Sequence, residues 1–304
     1  MTDTMTKGMR AVVRDRRGVT LACPAAPEPG PGEVVIEVAF AGVCRSDLAA
    51  AAGTVAVAPG RVLGHELAGR VRAVGEGVEL ARGAAVSVIP FEPCGACTAC
   101  AASARCGQLR WLGFERDGGF AEQIRVPARC VVPLPPELSL LHGAYVEPVA
   151  AALGALAFVE PGARVAVCGD GRIAELSARV LVAHGALVTR ARDAPRGGFD
   201  VVIEHGGVLP AMLDALRPGG TLVLKSRAHR AIALDAGLLV ARDLTVRGAS
   251  HGSFAAAVEW LATRRIAIDD LLAPPRPLEA FAEVFAAARA GEHHKQMFAI
   301  AEPG

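Results

Sequence analysis

Residues 165–168, Val-Ala-Val-Cys, form a short apolar run that leads directly into Gly169-Asp170-Gly171-Arg172-Ile173-Ala174 and then into helical spacing over residues 173–183. A strand, a glycine turn and a helix in that order present backbone N–H groups at a helix N-terminus, where a pyrophosphate is held. A lone G-x-G-x-x-A is a weak signal, but here the flanking strand and helix are the ones the mechanism requires. The turn also fixes how the region around it folds. Residues 187–191, 200–204, 221–224 and 244–246 read as short buried strands, several followed by helical segments such as 254–264. Strands alternating with helices predict a doubly wound parallel sheet of the α/β class.

The first half of the chain has a different period. Residues 11–13, 34–38, 67–74, 85–89 and 120–126 are alternating or β-branched runs separated by turns such as Pro29-Gly30-Pro31-Gly32, and they predict an antiparallel β domain. Alanine-rich helical spacing over residues 140–158 leads from one region to the other. A helical tail at 278–288 and a short apolar run at 297–300 close the chain. At 304 residues with 52% hydrophobic composition the chain can fill two cores. No apolar stretch approaches the ~18 residues needed to span a bilayer, and residues 1–10 lack a signal-peptide core, so a cytoplasmic protein is expected. A net charge of +1 with dispersed arginines offers no patch for nucleic acid or anionic lipid. Lys7, Lys225 and Lys295 are the only lysines, a bias read as genomic composition without mechanistic weight.

Eight cysteines in a reducing compartment read as ligands or packed thiols rather than disulfides. Cys94, Cys97, Cys100 and Cys106 have the spacing of a closed tetrahedral zinc site, with an empty thiol cluster or a redox pair as alternatives. Four thiolates leave no open position, so this set is not catalytic. Cys23, Cys130 and Cys168 stand singly in apolar or strand-like contexts and read as packed side chains. Cys44, His65, Glu66 and Glu147 are separated in sequence, and Cys44 or His65 alone reads as a core residue.

Taken together, Gly42-Val43-Cys44-Arg45-Ser46-Asp47, Gly64-His65-Glu66, the cysteine run, Val146-Glu147-Pro148 and the glycine turn resemble, over nearly the whole chain, the zinc alcohol/polyol dehydrogenase branch of the medium-chain dehydrogenase/reductase family. The resemblance implies two domains, a GroES-like antiparallel catalytic domain over residues 1–148, completed by 277–304, and a Rossmann cofactor domain over 149–276. It implies a catalytic zinc held by Cys44, His65 and a carboxylate, either Glu66 or Glu147, with an open fourth position for substrate oxygen, and a structural zinc on the four-cysteine run. Ser46 would handle the substrate proton and Asp47 would orient His65. Gly169, Gly171, Arg172 and Ile173 would hold the dinucleotide, with Arg45 as a further cofactor-phosphate contact or a plain surface arginine. The implied activity is hydride transfer between a nicotinamide cofactor and a small or medium secondary alcohol, polyol or carbonyl, by a homodimer or homotetramer.

The chain departs from the family in three places. After residues 187–191 the family has a helix, a strand and a helix, whereas here residues 193–199 lead straight into the next strand. Seven residues extend about 20 Å, enough to return along a strand of ~17–20 Å, so a sheet trimmed to about five strands is expected. Leu48-Ala49-Ala50 follow Ser46 where many relatives carry a proton-relay histidine. The last cysteine interval has five residues where most members have seven. Aligning the second strand on Val188 and Ala191 puts Arg192 at the position of the acidic ribose ligand of NAD-preferring members; a register one residue longer would put Asp193 there. The first register, with Arg190 assisting Arg192, favours NADP(H) over NAD(H). Rival readings are a biosynthetic carbonyl reductase of a specialised metabolite, a redox-inactive scaffold relative with weak dinucleotide binding, and a zinc-free quinone-type reductase.

Overall fold

The computed structural model describes residues 8–101, 106–191, 197–207, 210–227, 233–291 and 294–301. The chain divides into two units, residues 1–147 with 270–304 and residues 148–269. In the first unit, β1 (Ala11–Asp15) and β2 (Gly18–Ala22) form an antiparallel hairpin. The main sheet follows from β3 (Glu33–Gly42), β4 (Glu66–Val74) and β5 (Ala85–Val88). A short ribbon, β6 (Phe91–Glu92) with β7 (Arg110–Trp111), flanks the cysteine run. Two further strands, β8 (Gln123–Pro127) and β9 (Val131–Pro133), and the C-terminal strand Met297–Ala299 complete the sheet. The C-terminal strand, β3, β4, β5 and β9 are neighbours in that order, β8 pairs with β3, and every pairing is antiparallel.

That sheet curves around an apolar cluster that includes Ile36, Leu63, Leu67, Phe120, Ile124, Phe285 and Phe298. Phe120 meets Phe298 edge-on at 5.0 Å and Phe285 at 6.1 Å between ring centroids, an arrangement worth about 0.5–1.5 kcal/mol per pair beyond area burial. Helix α1 (Arg45–Ala51) leaves the end of β3 directly after Cys44, and α2 (Thr98–Ala101) lies within the cysteine run. The helical spacing of residues 140–158 resolves into α3 (Leu140–Gly143), whose first turn is capped by the Ser139 hydroxyl accepting from His142 N–H at 3.2 Å, α4 (Val146–Leu153) and a 3-10 turn at Gly154–Phe158.

The second unit alternates as its sequence predicts: β10 (Arg164–Cys168), α5 (Arg172–His184), β11 (Leu187–Ala191), β12 (Phe199–Glu204), α6 (Pro210–Ala215), β13 (Leu216–Leu224), α7 (Ala236–Ala241), β14 (Thr245–Gly248) and α8 (Phe254–Ala262). The five strands are parallel in the order β11-β10-β12-β13-β14. Val165 and Val167 of β10 pack with Leu181 of α5 on one face, and Ala166 and Cys168 pack with Met212 and Leu213 of α6 on the other. This alternation follows from the two-residue period of a strand, and it explains why the inner strands are apolar on both faces. Among the described residues β11 is an edge strand, and its Leu187 is 63% exposed. The sheet is therefore trimmed to five strands. No helix among the described residues is long and apolar enough to cross a membrane.

Gly64 precedes β4 with φ +95°, and a Cβ there would lie 2.4 Å from the Phe120 ring. Both the left-handed backbone and the aromatic cluster oppose a side chain, so Gly64→Ala should lower unfolding free energy by about 2 kcal/mol or more. Chemical denaturation measures it, and a loss under about 0.5 kcal/mol would mean that the ring gives way freely.

Candidate metal and dinucleotide sites

Cys44 and His65 lie at the ends of two strands, and one buried carboxylate joins them. Asp47, fully buried in the first turn of α1, accepts from Cys44 N–H at 2.8 Å with one oxygen and from Gly64 N–H at 3.2 Å with the other. The second oxygen also lies 3.4 Å from Nδ1 of His65. The ligand atoms of Cys44, His65 and Glu66 thereby come within 4.8 Å of one another. Ser46 Oγ lies 3.4 Å from His65 Nε2. Burial disfavours charge on His65, but Asp47 and Cys44 outweigh it and raise the imidazole well above its ordinary pKa.

Glu66 is 2% exposed and faces an equally buried cation, Lys295, with which it forms an ion pair. Burial raises the Glu66 carboxyl, Lys295 opposes that, and the nearby charge of Glu147 raises it further. Glu147, 7% exposed in the first turn of α4, is thus near Glu66 but outside the three-residue set. His65 Nδ1 and Glu66 Oε2 are buried without a well-formed hydrogen bond among the described residues. Thiol, imidazole and carboxylate converging within 4.8 Å of one another are a donor set that fits a metal ion with an open position.

The second set fits a closed site by distance. The Sγ atoms of Cys94, Cys97, Cys100 and Cys106 are separated by 3.9 Å (Cys94–Cys100), 3.5 Å (Cys97–Cys100), 3.8 Å (Cys97–Cys106) and 3.6 Å (Cys94–Cys106). Bonds of 2.3 Å at tetrahedral angles require sulfur separations of about 3.8 Å. All four thiols are free of disulfides, and amides of Ala96 and Cys97 draw Cys94 down to about 6. At the base of the run Glu92, 4% exposed, is bound by Arg110, Arg116 and Arg129.

In the second unit Gly169 follows β10 with φ +135°, and a Cβ there would lie 3.1 Å from His205 Cβ and 3.5 Å from Ala174 Cβ. Gly171 is the N-cap of α5, whose first three residues are Arg172, Ile173 and Ala174. The glycine turn is therefore pressed between β12 and the helix it opens. Gly169 N–H donates to Ala191 O at 3.2 Å, which ties the turn to the end of β11. Arg190 lies across it, donating to Gly169 O at 3.0 Å and pairing with Glu175 of α5. Arg172, the first residue of α5, is half-buried, and Arg45, the first residue of α1, is exposed. Arg192 and Asp193, on which the choice of nucleotide register rests, lie outside the described residues.

Sequence reasoning missed three polar residues. Lys295 is one. Glu204, 1% exposed at the end of β12, accepts from Gly206 N–H at 2.7 Å, from Gly207 N–H, from Ser226 N–H at 3.1 Å and from Ser226 Oγ at 2.7 Å. Lys225 donates to the carbonyls of Ala151, Ala249 and Ser250 at 2.7, 3.1 and 3.0 Å. Glu204 and Lys225 therefore fasten the loops after β12, β13 and β14, at the sheet edge where doubly wound folds bind ligands.

Because Glu66 and Lys295 are both buried, removing one leaves the other uncompensated. In the metal-free protein Lys295→Met should cost about 3 kcal/mol or more in urea unfolding, and Glu66→Gln with Lys295→Met markedly less. Equal losses would show that the two charges are not coupled.

The sequence profile of the alcohol dehydrogenase GroES-like domain matches residues 30–136. Galactitol 1-phosphate 5-dehydrogenase of Escherichia coli K12 is 28% identical, over 90% of this chain and 95% of that protein. The structure of a zinc-binding dehydrogenase from Sinorhizobium meliloti 1021 bound to NADP is similar with a TM-score of 0.89 at 27% identity, covering 96% of this chain and 99% of that one. That of 2R,3R-butanediol dehydrogenase from Bacillus subtilis gives a TM-score of 0.85 at 26% identity, with 96% and 99% covered. With the antiparallel and parallel sheets in place and both ligand sets assembled, these likenesses show that the chain belongs to the medium-chain dehydrogenase/reductase family, in its zinc alcohol/polyol dehydrogenase branch.

Proposed function

We propose that this protein is a zinc-dependent, nicotinamide-linked oxidoreductase that interconverts a small or medium secondary alcohol or polyol with its carbonyl. The observation that carries the reading is the convergence of Cys44, His65 and Glu66 on one centre, with Ser46 beside it and the thiol set elsewhere. The polyol and diol substrates named for the relatives give the substrate class. Cys44, His65 and Glu66 hold one zinc; Glu66 is preferred to Glu147 because its carboxylate lies within the ligand set. Cys94, Cys97, Cys100 and Cys106 hold a second, structural zinc. When bound, the first ion supplies Lewis-acid polarisation of the substrate oxygen and the nicotinamide supplies or accepts hydride.

The protein's own residues hold the geometry and the proton. Asp47 fixes the His65 ring and, through Cys44 N–H, the first ligand as well. The Ser46 hydroxyl takes the alcohol proton in oxidation and returns it in reduction. The N-terminus of α5 with Gly169, Gly171, Arg172 and Ile173 receives the pyrophosphate. NADP(H) is the preferred cofactor, with Arg190 and Arg192 supplying the positive charge that a 2′-phosphate needs.

Elemental analysis should give two zinc ions per chain. Cys44→Ser should lose one ion and all turnover with little loss of fold, whereas Cys106→Ser should lose the other and mainly lower thermal stability. The opposite pattern would exchange the two roles.

Secondary alcohols, polyols and their ketones tested with NADP(H) and NAD(H) should show turnover by nicotinamide absorbance. Ser46→Ala should lower kcat by about 10²-fold or more. Absence of binding by either cofactor would leave the redox-inactive relative as the better account.

A further inference from the structure

The first turn of α5 contains an acidic residue where the dinucleotide reading requires phosphate. Glu175 is ionised at neutral pH, since the hydrogen bond from Arg179 lowers its pKa and Arg190 lowers it further, together outweighing the opposing effect of burial. Its two oxygens are divided. Oε1 accepts from Arg179 Nε at 2.9 Å, and Oε2 pairs with Arg190 Nη1. Arg179 is held a second time, donating from Nη1 to Ala267 O at 2.8 Å. Arg190 is held by its other terminal nitrogen on Gly169 O.

Arg190 is the next-to-last residue of β11, opposite Val167 in the ladder, and the strand ends beside the glycine turn. In doubly wound folds the adenosine ribose lies at the end of this second strand, and its 2′ substituent selects the cofactor. The Arg190 and Glu175 side chains are 34% and 33% exposed, so the pair is within reach of a ligand and weakly held against water. A 2′-phosphate, with nearly two negative charges, forms stronger charge-assisted bonds with a guanidinium than a half-exposed carboxylate does.

Resting on the dinucleotide reading above, we propose that Glu175 is a specificity-determining residue: it competes with the 2′-phosphate of NADP(H) for Arg190 and so limits the preference for NADP(H) over NAD(H). Glu175 acts in two ways. It occupies one edge of the Arg190 fork, and its charge repels the incoming dianion. The pyrophosphate is common to both cofactors, so repulsion there alters both affinities alike. The ratio of the two affinities isolates the effect at the 2′ position.

The test is fluorescence titration of NADPH and NADH at low ionic strength with wild type, Glu175→Gln, Arg190→Met and the double variant. Glu175→Gln should raise the NADH-to-NADPH ratio of dissociation constants by about three- to tenfold, the scale of one carboxylate acting on a nearby dianion in water. Arg190→Met should lower that ratio, and the gain from Glu175→Gln should vanish in the Arg190→Met background. An unchanged or falling ratio in Glu175→Gln overturns the proposal, as does an equal gain with and without Arg190. Failure of wild type to bind either cofactor would overturn the dinucleotide reading itself, a result distinct from all of these.

Discussion

Asp47 is the constraint on which the first unit's site depends. Cys44 and Gly64 belong to separate motifs at the ends of β3 and β4, and antiparallel pairing of Gly42 with Glu66 brings those ends together. Strand pairing sets the distance to within a residue but not the orientation of a thiol and an imidazole. The carboxylate completes this by accepting from Cys44 N–H and Gly64 N–H while facing His65. Without it the buried Gly64 N–H would be orphaned, at about 1–3 kcal/mol, the part-buried Cys44 N–H would lose its acceptor, and the His65 ring would lose the partner that sets its tautomer. Gly64 is part of the same device, because its N–H reaches Asp47 only in a backbone conformation that other residues rarely adopt.

The second unit obtains its order from a different source. Its inner strands are held by apolar contacts on both faces, and polar groups fasten the strand ends, Asp200 with Arg164 N–H and Arg217 at one end and Glu204 and Lys225 at the other. Glu204 and Lys225 fix the loops after β12, β13 and β14 by backbone hydrogen bonds, while Arg190 fixes the turn after β10. Losing a strand–helix unit beyond β11 does not disturb this arrangement, because the two core layers are built on β10 and β12 and not on the edge. What the loss changes is exposure. Leu187 is largely exposed on that edge and the Arg190 side chain partly so.

The fold and much of the candidate site were legible because their signals are local. The glycine turn, the cysteine spacing and the change from two-residue to helical period each fit within a few tens of residues, and the missing unit was readable as a connection too short for a helix. Partners far apart in sequence were not legible. Nothing in Gly64-His65-Glu66 points to a cation 229 residues later in the chain, a separation read directly from Glu66 and Lys295. Likewise Glu175 on α5 reads as an ordinary first-turn acid, favourable to the helix dipole, and only the fold shows it drawn to a side chain of the next strand. Residue periodicity identifies which face is buried, but it does not identify which buried charges meet.

Lysine usage contained a signal that composition alone obscured. The chain has three lysines against abundant arginine, and both of those that lie among the described residues are bound at sites where a guanidinium would not serve equally. Lys225 directs three donors of one nitrogen to three carbonyls converging at 2.7–3.1 Å, whereas the donors of arginine lie in a plane. Lys295 meets Glu66 in a space so close to Gly42 that a Cβ there would lie 2.7 Å from both Lys295 Cε and a Glu66 oxygen. A compact ammonium fits where a planar fork would need more room. In a chain that otherwise uses arginine for its cations, a retained lysine therefore marks a position where convergence on one point matters more than bidentate reach.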